Sequence, residues 1–415
     1  MKHLGYKDLW HLEEAEMVSD RLWKKDFIFV TLANFLIYMI FYIFMAIIAP
    51  YCVQNLHTST GIAGLVSGIF LIGILLGRLW IGRIVQEVGS KKILLIGTSL
   101  HLLSSLFYMF ASNVLFLLGT RFFHGIAFGI AHTGAGTIAA QVIPRTRQGE
   151  GIGFYTQSQI IATALGPFLG ILLSRSWGFK AVFWTGLFIA LIGFLVSLFI
   201  SEPTVERSKQ LQPKKGLRLS ELIEYRAVPI SLIILISGFI YFSLMTFLPL
   251  YGKKANLEGP VSLFFLVYAI TVMLSRPISG RLLDLKGPNF VVYPCLLLFA
   301  LGMILLGWAN SGFLLLLSAV IIGLGYGNFF SCGHAIAIKS VPPERIGLAT
   351  ATYYIFIDIG SGIGPYIFGS LLSFMDYKGL FLLLSLVVFS TLLLYRFFVS
   401  RFLKGGMDHE DRSFK

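Results

Sequence analysis

The sequence predicts an all-α membrane protein, with twelve transmembrane helices arranged as two six-helix bundles. Three observations lead there. The 415 residues are 56% hydrophobic and only 13% charged, against roughly 25% charged in a soluble domain. Apolar runs of about 20 residues, the length that crosses the hydrocarbon layer, recur between charged or Gly/Pro-rich breaks. Patterns in the first half return in the second at one fixed offset.

Residues 1–26 mix acids, bases and Trp, as an amphipathic helix lying on a membrane surface does. The first apolar run, from Phe27 to about Pro50, exceeds a signal-peptide core of roughly 7–15 residues and lacks a small-residue cleavage pattern. It reads as a retained first helix. The first bundle, 27–200, is expected to hold helices at 27–50, 61–82, 92–111, 114–140, 151–174 and 180–200. The polar stretch 201–227 reads as a linker in which "LSELIEY" suits a short interfacial helix. The second bundle, 228–400, follows with helices at 228–251, 261–280, 290–309, 312–338, 347–373 and 378–400, and residues 401–415 form a tail.

The net charge of +13 marks topology, because the basic residues gather in alternate loops. Lys91 and Lys92, Arg145 and Arg147, the run from Arg207 through Lys214, Lys215, Arg218 and Arg226, then Arg281 and Lys286, then Lys339 and Arg345 mark one side. Lys253 and Lys254 are an exception, partly offset by Glu258. This distribution places both termini on the cytoplasmic face of the cell membrane and, lacking one contiguous basic patch, argues against a nucleic-acid partner. Cys52, Cys295 and Cys332 lie far apart with no CxxC spacing, as packing residues do, so no metal site is expected. No cofactor is called for, and a monomer is expected.

The repeat falls at an offset of 198 residues, without gaps. "RLWIGRIVQEVG" from Arg78 matches "RPISGRLLDLKG" from Arg276, pairing Gly82 with Gly280, Arg83 with Arg281 and Gly89 with Gly287. Gly125 and Gly129 pair with Gly323 and Gly327, "IPRTRQG" with "VPPERIG", and Gly166–Pro167 with Gly364–Pro365. Two bundles of one topology can pack around a central cavity and rock against each other, which gives alternating access. The tight loop after the second helix of each half needs glycine for a sharp reversal.

The stretches "GRIVQEVGSKK", "TRFFHGIAFG", "ATALGPFLG" and "DIGSGIGPYIFG" resemble the major facilitator superfamily, over essentially the whole length. Within it the chain is similar to bacterial drug:proton antiporters and related metabolite exporters. The family's loop motif reads G-x-x-x-D-R-x-G-R-K; Gly82, Gly89 and Lys91 match it, Gln86 and Glu87 replace its Asp-Arg pair, and Asp284 restores the acid in the second half. Arg121 matches the family's fourth-helix arginine, which implies proton or substrate coupling. Gly166–Pro167 matches the fifth-helix motif associated with antiport, with Ala162 at its leading glycine and Gly360 at the equivalent second-half position.

Of twenty acidic residues, Asp358 alone lies well inside an apolar run, where an unpartnered charge costs several kcal/mol. It is the candidate proton carrier; a permanent ion pair or a packing hydrogen bond is the other reading. Arg121 either binds an anionic group or tunes a protonatable neighbour, or else ties helices together. His124, His132 and His334, on the fourth and tenth helices, carry imidazoles that could titrate near neutrality and line a shared cavity, though helical histidines are often packing residues. Asn34, Gln157 and Gln159 could hydrogen-bond substrate or join helices. Arg78 and Arg276 sit one turn inside the basic ends, where a structural, snorkelling role is favoured. Aromatic content of 15% permits an apolar cavity, although lipid-facing phenylalanine accounts for much of it.

The leading expectation is a proton-coupled exporter of a small amphipathic molecule, either a drug or a metabolite such as a metallophore. The nearest alternative is a proton symporter importing a nutrient or organic anion. ATP-driven transport is disfavoured because no GxxxxGK[ST] loop occurs. No nucleophile–base pair or soluble domain supports an enzyme or sensor.

Overall fold

The computed structural model describes residues 21–144, 147–201, 223–342 and 345–399. Most of the expected amphipathic segment and linker, Arg145 and the tail lie outside the described residues. Among those described, the chain is helical with no strand. Eleven rods are long and apolar enough to cross a membrane. They are α1 Lys25–Asn55, α2 Thr60–Val88, α3 Ser90–Phe107, α4 Val114–Val142, α5 Gln148–Leu198, α6 Val228–Lys254, α7 Glu258–Lys286, α8 Pro288–Gly307, α9 Gly312–Lys339, α10 Ile346–Leu371 and α11 Tyr377–Leu394.

The count differs from twelve at one place. The fifth and sixth expected spans run together in α5, whose backbone leaves helical geometry at Gly178 (φ 78°, ψ 175°). A straight helix of these 51 residues would be about 75 Å long, over twice the hydrocarbon thickness. The rod instead doubles back. Gly151, near its start, packs on Leu22, and Ser201, just past its end, donates its N–H to Asp26 Oδ1 at 2.9 Å. Arg175, beside the bend, lies 3.8 Å from Glu258 at the opposite end of the molecule.

Local chemistry sets the other ends. Asn113, Ser311 and Asp376 cap α4, α9 and α11 by accepting N–H groups three residues ahead, satisfying donors that a helix start leaves free. The repeat-equivalent joints α2–α3 and α7–α8 turn at Gly89 (φ 95°) and Gly287 (φ 82°), values that disfavour any side chain.

In the first half α1 packs on α5 and α4 on α2 and α3; in the second, α6 packs on α10, α8 on α11 and α9 on α7 and α8. The halves meet along α2–α10, α5–α7 and α1–α6. The α2–α10 seam is made of small residues: Gly64 abuts the Pro365 carbonyl, Gly68 abuts that of Gly362, and Thr60 Oγ1 donates to the Gly369 carbonyl at 2.6 Å. Absent side chains let backbones touch, the packing that holds helices together where lipid removes the hydrophobic drive. This seam and the Arg175–Glu258 pair close the end of the molecule away from Ser201 and Glu224, which mark the linker end.

Candidate transport cavity

Between the halves lies a cavity of about 390 Å³, a volume suited to a small molecule. It reaches Ile152 and Ile338 near the linker-end termini of α5 and α9, and stops short of the glycine seam. Its wall uses repeat-equivalent positions: Arg78 faces it with Arg276, Phe128 with Tyr326, Thr156 with Tyr354, and Ile160 with Asp358, each pair 198 residues apart.

The last pair breaks the electrical symmetry. Arg78 Nη1 donates to Asp358 Oδ2 at 2.5 Å, joining α2 to α10 across the interface between halves. Asp358 is buried, and the Arg78 guanidinium also lies over the Tyr354 ring, 5.8 Å from its centroid. At the site related to this pair Ile160 stands where the acid would be. Arg276 accordingly has no ion-pair partner among the described residues.

The second half also supplies the polar aromatic wall. The Tyr241 ring stacks on Tyr326 at 4.2 Å and on Tyr268 at 5.1 Å between centroids. Tyr326 occupies a five-residue π turn, Gly323–Gly327, set within α9. Such widened turns re-aim side chains and frequently mark functional positions. Three cavity-lining hydroxyls, those of Tyr241, Tyr326 and Ser331, have no hydrogen-bond partner among the described residues.

Of the sequence candidates, Asp358, Gln159 and His334 line the cavity; His334 Nε2 lies 3.3 Å from Thr350 Oγ1. Asn34 does not: its amide donates to Ser158 and accepts from Tyr155, joining α1 to α5. Gln157 is half-buried outside the lining. His132 stands behind the wall, 3.2 Å from the Tyr38 hydroxyl. His124 bonds Tyr108 at 3.0 Å and lies 4.2 Å from the ring of His101, within the first half.

Arg121 does not reach Asp358. Fully buried, it donates to the carbonyls of Val66 at 3.3 Å and Ser67 at 3.2 Å, and sits over the Phe70 ring at 4.2 Å. Gly166, before Pro167, packs against Tyr42 and Ile43 of α1, and Gly364, before Pro365, packs against Phe239 and Ser243 of α6. Asp284 pairs with Lys339 at 2.5 Å on the exposed linker end. Gly280 meets open space, Gly82 lies in α2 and Lys91 in the first turn of α3. Among the described residues no three His, Cys, Asp or Glu side chains group as metal ligands.

Arg276 and the tyrosine wall were the features that sequence reasoning undervalued. The signal existed: the 198-residue offset that pairs the two arginines also pairs Ile160 with Asp358, so one arginine of the pair must lack an acid.

The sequence profile described as Major Facilitator Superfamily matches residues 30–294 and, overlapping, 258–409. The chain belongs to the major facilitator superfamily. It is a multi-pass membrane protein and a transporter. An uncharacterized MFS-type transporter of Methanocaldococcus jannaschii is 27% identical over 344 residues, covering 81% of this chain and 89% of the relative. A multi-drug resistance efflux pump PmrA homologue of Lactococcus lactis is 24% identical, covering 86% and 90%. Among solved structures, a POT family transporter in complex with 5-aminolevulinic acid superposes with a TM-score of 0.76 at 14% identity, covering 91% of this chain and 96% of that one. At that identity the likeness speaks for the fold.

Proposed function

We propose that this superfamily member is a proton-coupled exporter of a small amphipathic molecule, working by alternating access with Asp358 as the proton carrier. The observation that carries the reading is the Arg78–Asp358 ion pair, which lies in the cavity and spans the two halves. Ionised Asp358 holds α2 to α10 through Arg78. Protonation removes that attraction and leaves Arg78 without its counter-charge, so the proton and the relative position of the halves are linked. The other charged or titratable groups lining the cavity are Arg276 and Tyr268 of α7, His334 and Tyr326 of α9, Tyr38 and Tyr42 of α1, Tyr241 of α6 and Tyr354 of α10 itself.

The doubled-back α5 supports twelve crossings in two six-helix bundles, and the basic loops support a cytoplasmic linker end with both termini on that side. The cavity would then face the cytoplasm, ready to load cargo for export. Resemblance to a drug efflux homologue supports the export direction. Import of an organic anion with a proton is the second reading, favoured by the acid-free Arg276.

The test uses inverted vesicles holding a proton gradient, with amphipathic compounds and metal chelates added in turn. Substrate-dependent proton release that disappears in Asp358→Asn is the expected outcome. Full coupled transport by Asp358→Asn would overturn the assignment of the carrier, and proton movement only in the opposite sense would establish the import reading.

A further inference from the structure

We infer that Arg276 anchors the negative group of an amphipathic organic anion, a carboxylate or phosphate whose apolar body rests on the tyrosine wall of the second half. The inference rests on reading this cavity as the transport site. It grows from the broken symmetry of that site. A guanidinium is always charged and presents up to five donors, so one facing a membrane-embedded cavity calls for an anion, backbone carbonyls or water. Arg78 has one in Asp358, and at the related position Ile160 offers Arg276 nothing. Two cations and one acid line the cavity, a surplus of one positive charge.

The surroundings supply the remaining contacts of an oxyanion site. Tyr326 is 2% exposed, yet its hydroxyl has no partner and its ring lines the cavity; the Ser331 hydroxyl is likewise unpartnered. Buried hydroxyls are hydrogen-bonded as a rule, and leaving one unsatisfied is costly. Both belong to α9, as does His334, and Arg276 is close enough to Tyr268, His334 and Tyr354 to act on them electrostatically. A ligand oxyanion there accepts from the guanidinium and the hydroxyls together. Phe242 on α6, set edge-on to Tyr241, and Tyr42 on α1 line the cavity and take the apolar remainder. The Phe128 position, equivalent to Tyr326, has no hydroxyl, so the anion belongs to the second half while the first half contributes Arg78, the partner of Asp358.

The experiment measures equilibrium binding to the purified full chain in detergent, using probes paired by shape. Naphthalene-2-carboxylate is set against 2-naphthamide, and 1-naphthyl phosphate against 1-naphthol. The wild type is expected to bind each anion about tenfold or more tightly than its neutral twin. Arg276→Gln should remove that preference while leaving the neutral compounds unchanged, and Arg276→Lys should retain part of it as a bare cation. Asp358→Asn should keep the preference. The proposal fails if no anion binds the wild type, if neutral twins bind as well, or if Arg276→Gln loses both classes alike while Arg276→Lys restores both, which is a purely structural arginine. If Asp358→Asn keeps coupled transport while Arg276→Gln loses the anion preference, the proton assignment falls and the anion site stands.

Discussion

Three intramembrane arginines have three different surroundings, set by what each guanidinium meets. Arg121 meets backbone carbonyls and an aromatic face, Arg78 meets a carboxylate, and Arg276 shares the cavity wall with tyrosines and has no acid among the described residues. The sequence identified all three as charged groups in apolar runs but ranked Arg121 as the functional one. Burial and partner are set by neighbouring helices, which no linear pattern reveals. Arg121→Gln is expected to cost about 2–3 kcal/mol, the worth of hydrogen bonds from a charged donor, seen as a lower thermal unfolding midpoint with proton-to-substrate stoichiometry unchanged. Lost coupling at an unchanged midpoint would return Arg121 to the transport machinery. The histidines divide in the same way: His334 borders the cavity, whereas His124 is sealed among Tyr108, His101 and Phe44.

At the level of helices, most boundaries were legible because apolar length and glycine or polar breaks are local. The α5 rod was the exception. Its break needs only Gly178 in a conformation near φ 78°, ψ 175°, so the turn consumes almost no chain. Gly178→Ala should destabilise the fold by about 1–3 kcal/mol, the cost of forcing a side chain into that region, measured against wild type by thermal unfolding. The α2–α10 seam makes a sharper demand. A side chain at Gly68 runs into the Gly362 carbonyl, so Gly68→Leu is expected to prop this end open. Spin labels at Ser59→Cys and Ser373→Cys, both exposed beside the seam, should report a longer distance in that background; an unchanged distance would mean the seam tolerates bulk and does not gate.

At the scale of the whole molecule, the repeat read from the sequence pairs residues across the cavity wall, and the proposed chemistry lies where that pairing fails. If the halves rock as proposed, α2 must part from α10 at the closed end. A side chain at Gly61 would meet Ser370 Oγ at 3.0 Å there, so cysteines at the two positions would face each other across the seam. Oxidised Gly61→Cys/Ser370→Cys protein should lose transport and regain it on reduction. Transport that survives complete cross-linking would show that the halves exchange access by another route.

The unequal charge of the two halves also has an electrical consequence. With Asp358 ionised the vacant cavity carries one net positive charge, with Asp358 protonated it carries two, and with a monoanion seated beside the ionised acid it carries none. A charge moved through the whole membrane field is worth about 2.3 kcal/mol per 100 mV. The loaded carrier would therefore turn over indifferent to membrane voltage, while its unloaded return would be driven or braked by it, so the resting potential of the cell, as much as any gradient of acid, would set the pace of the cycle.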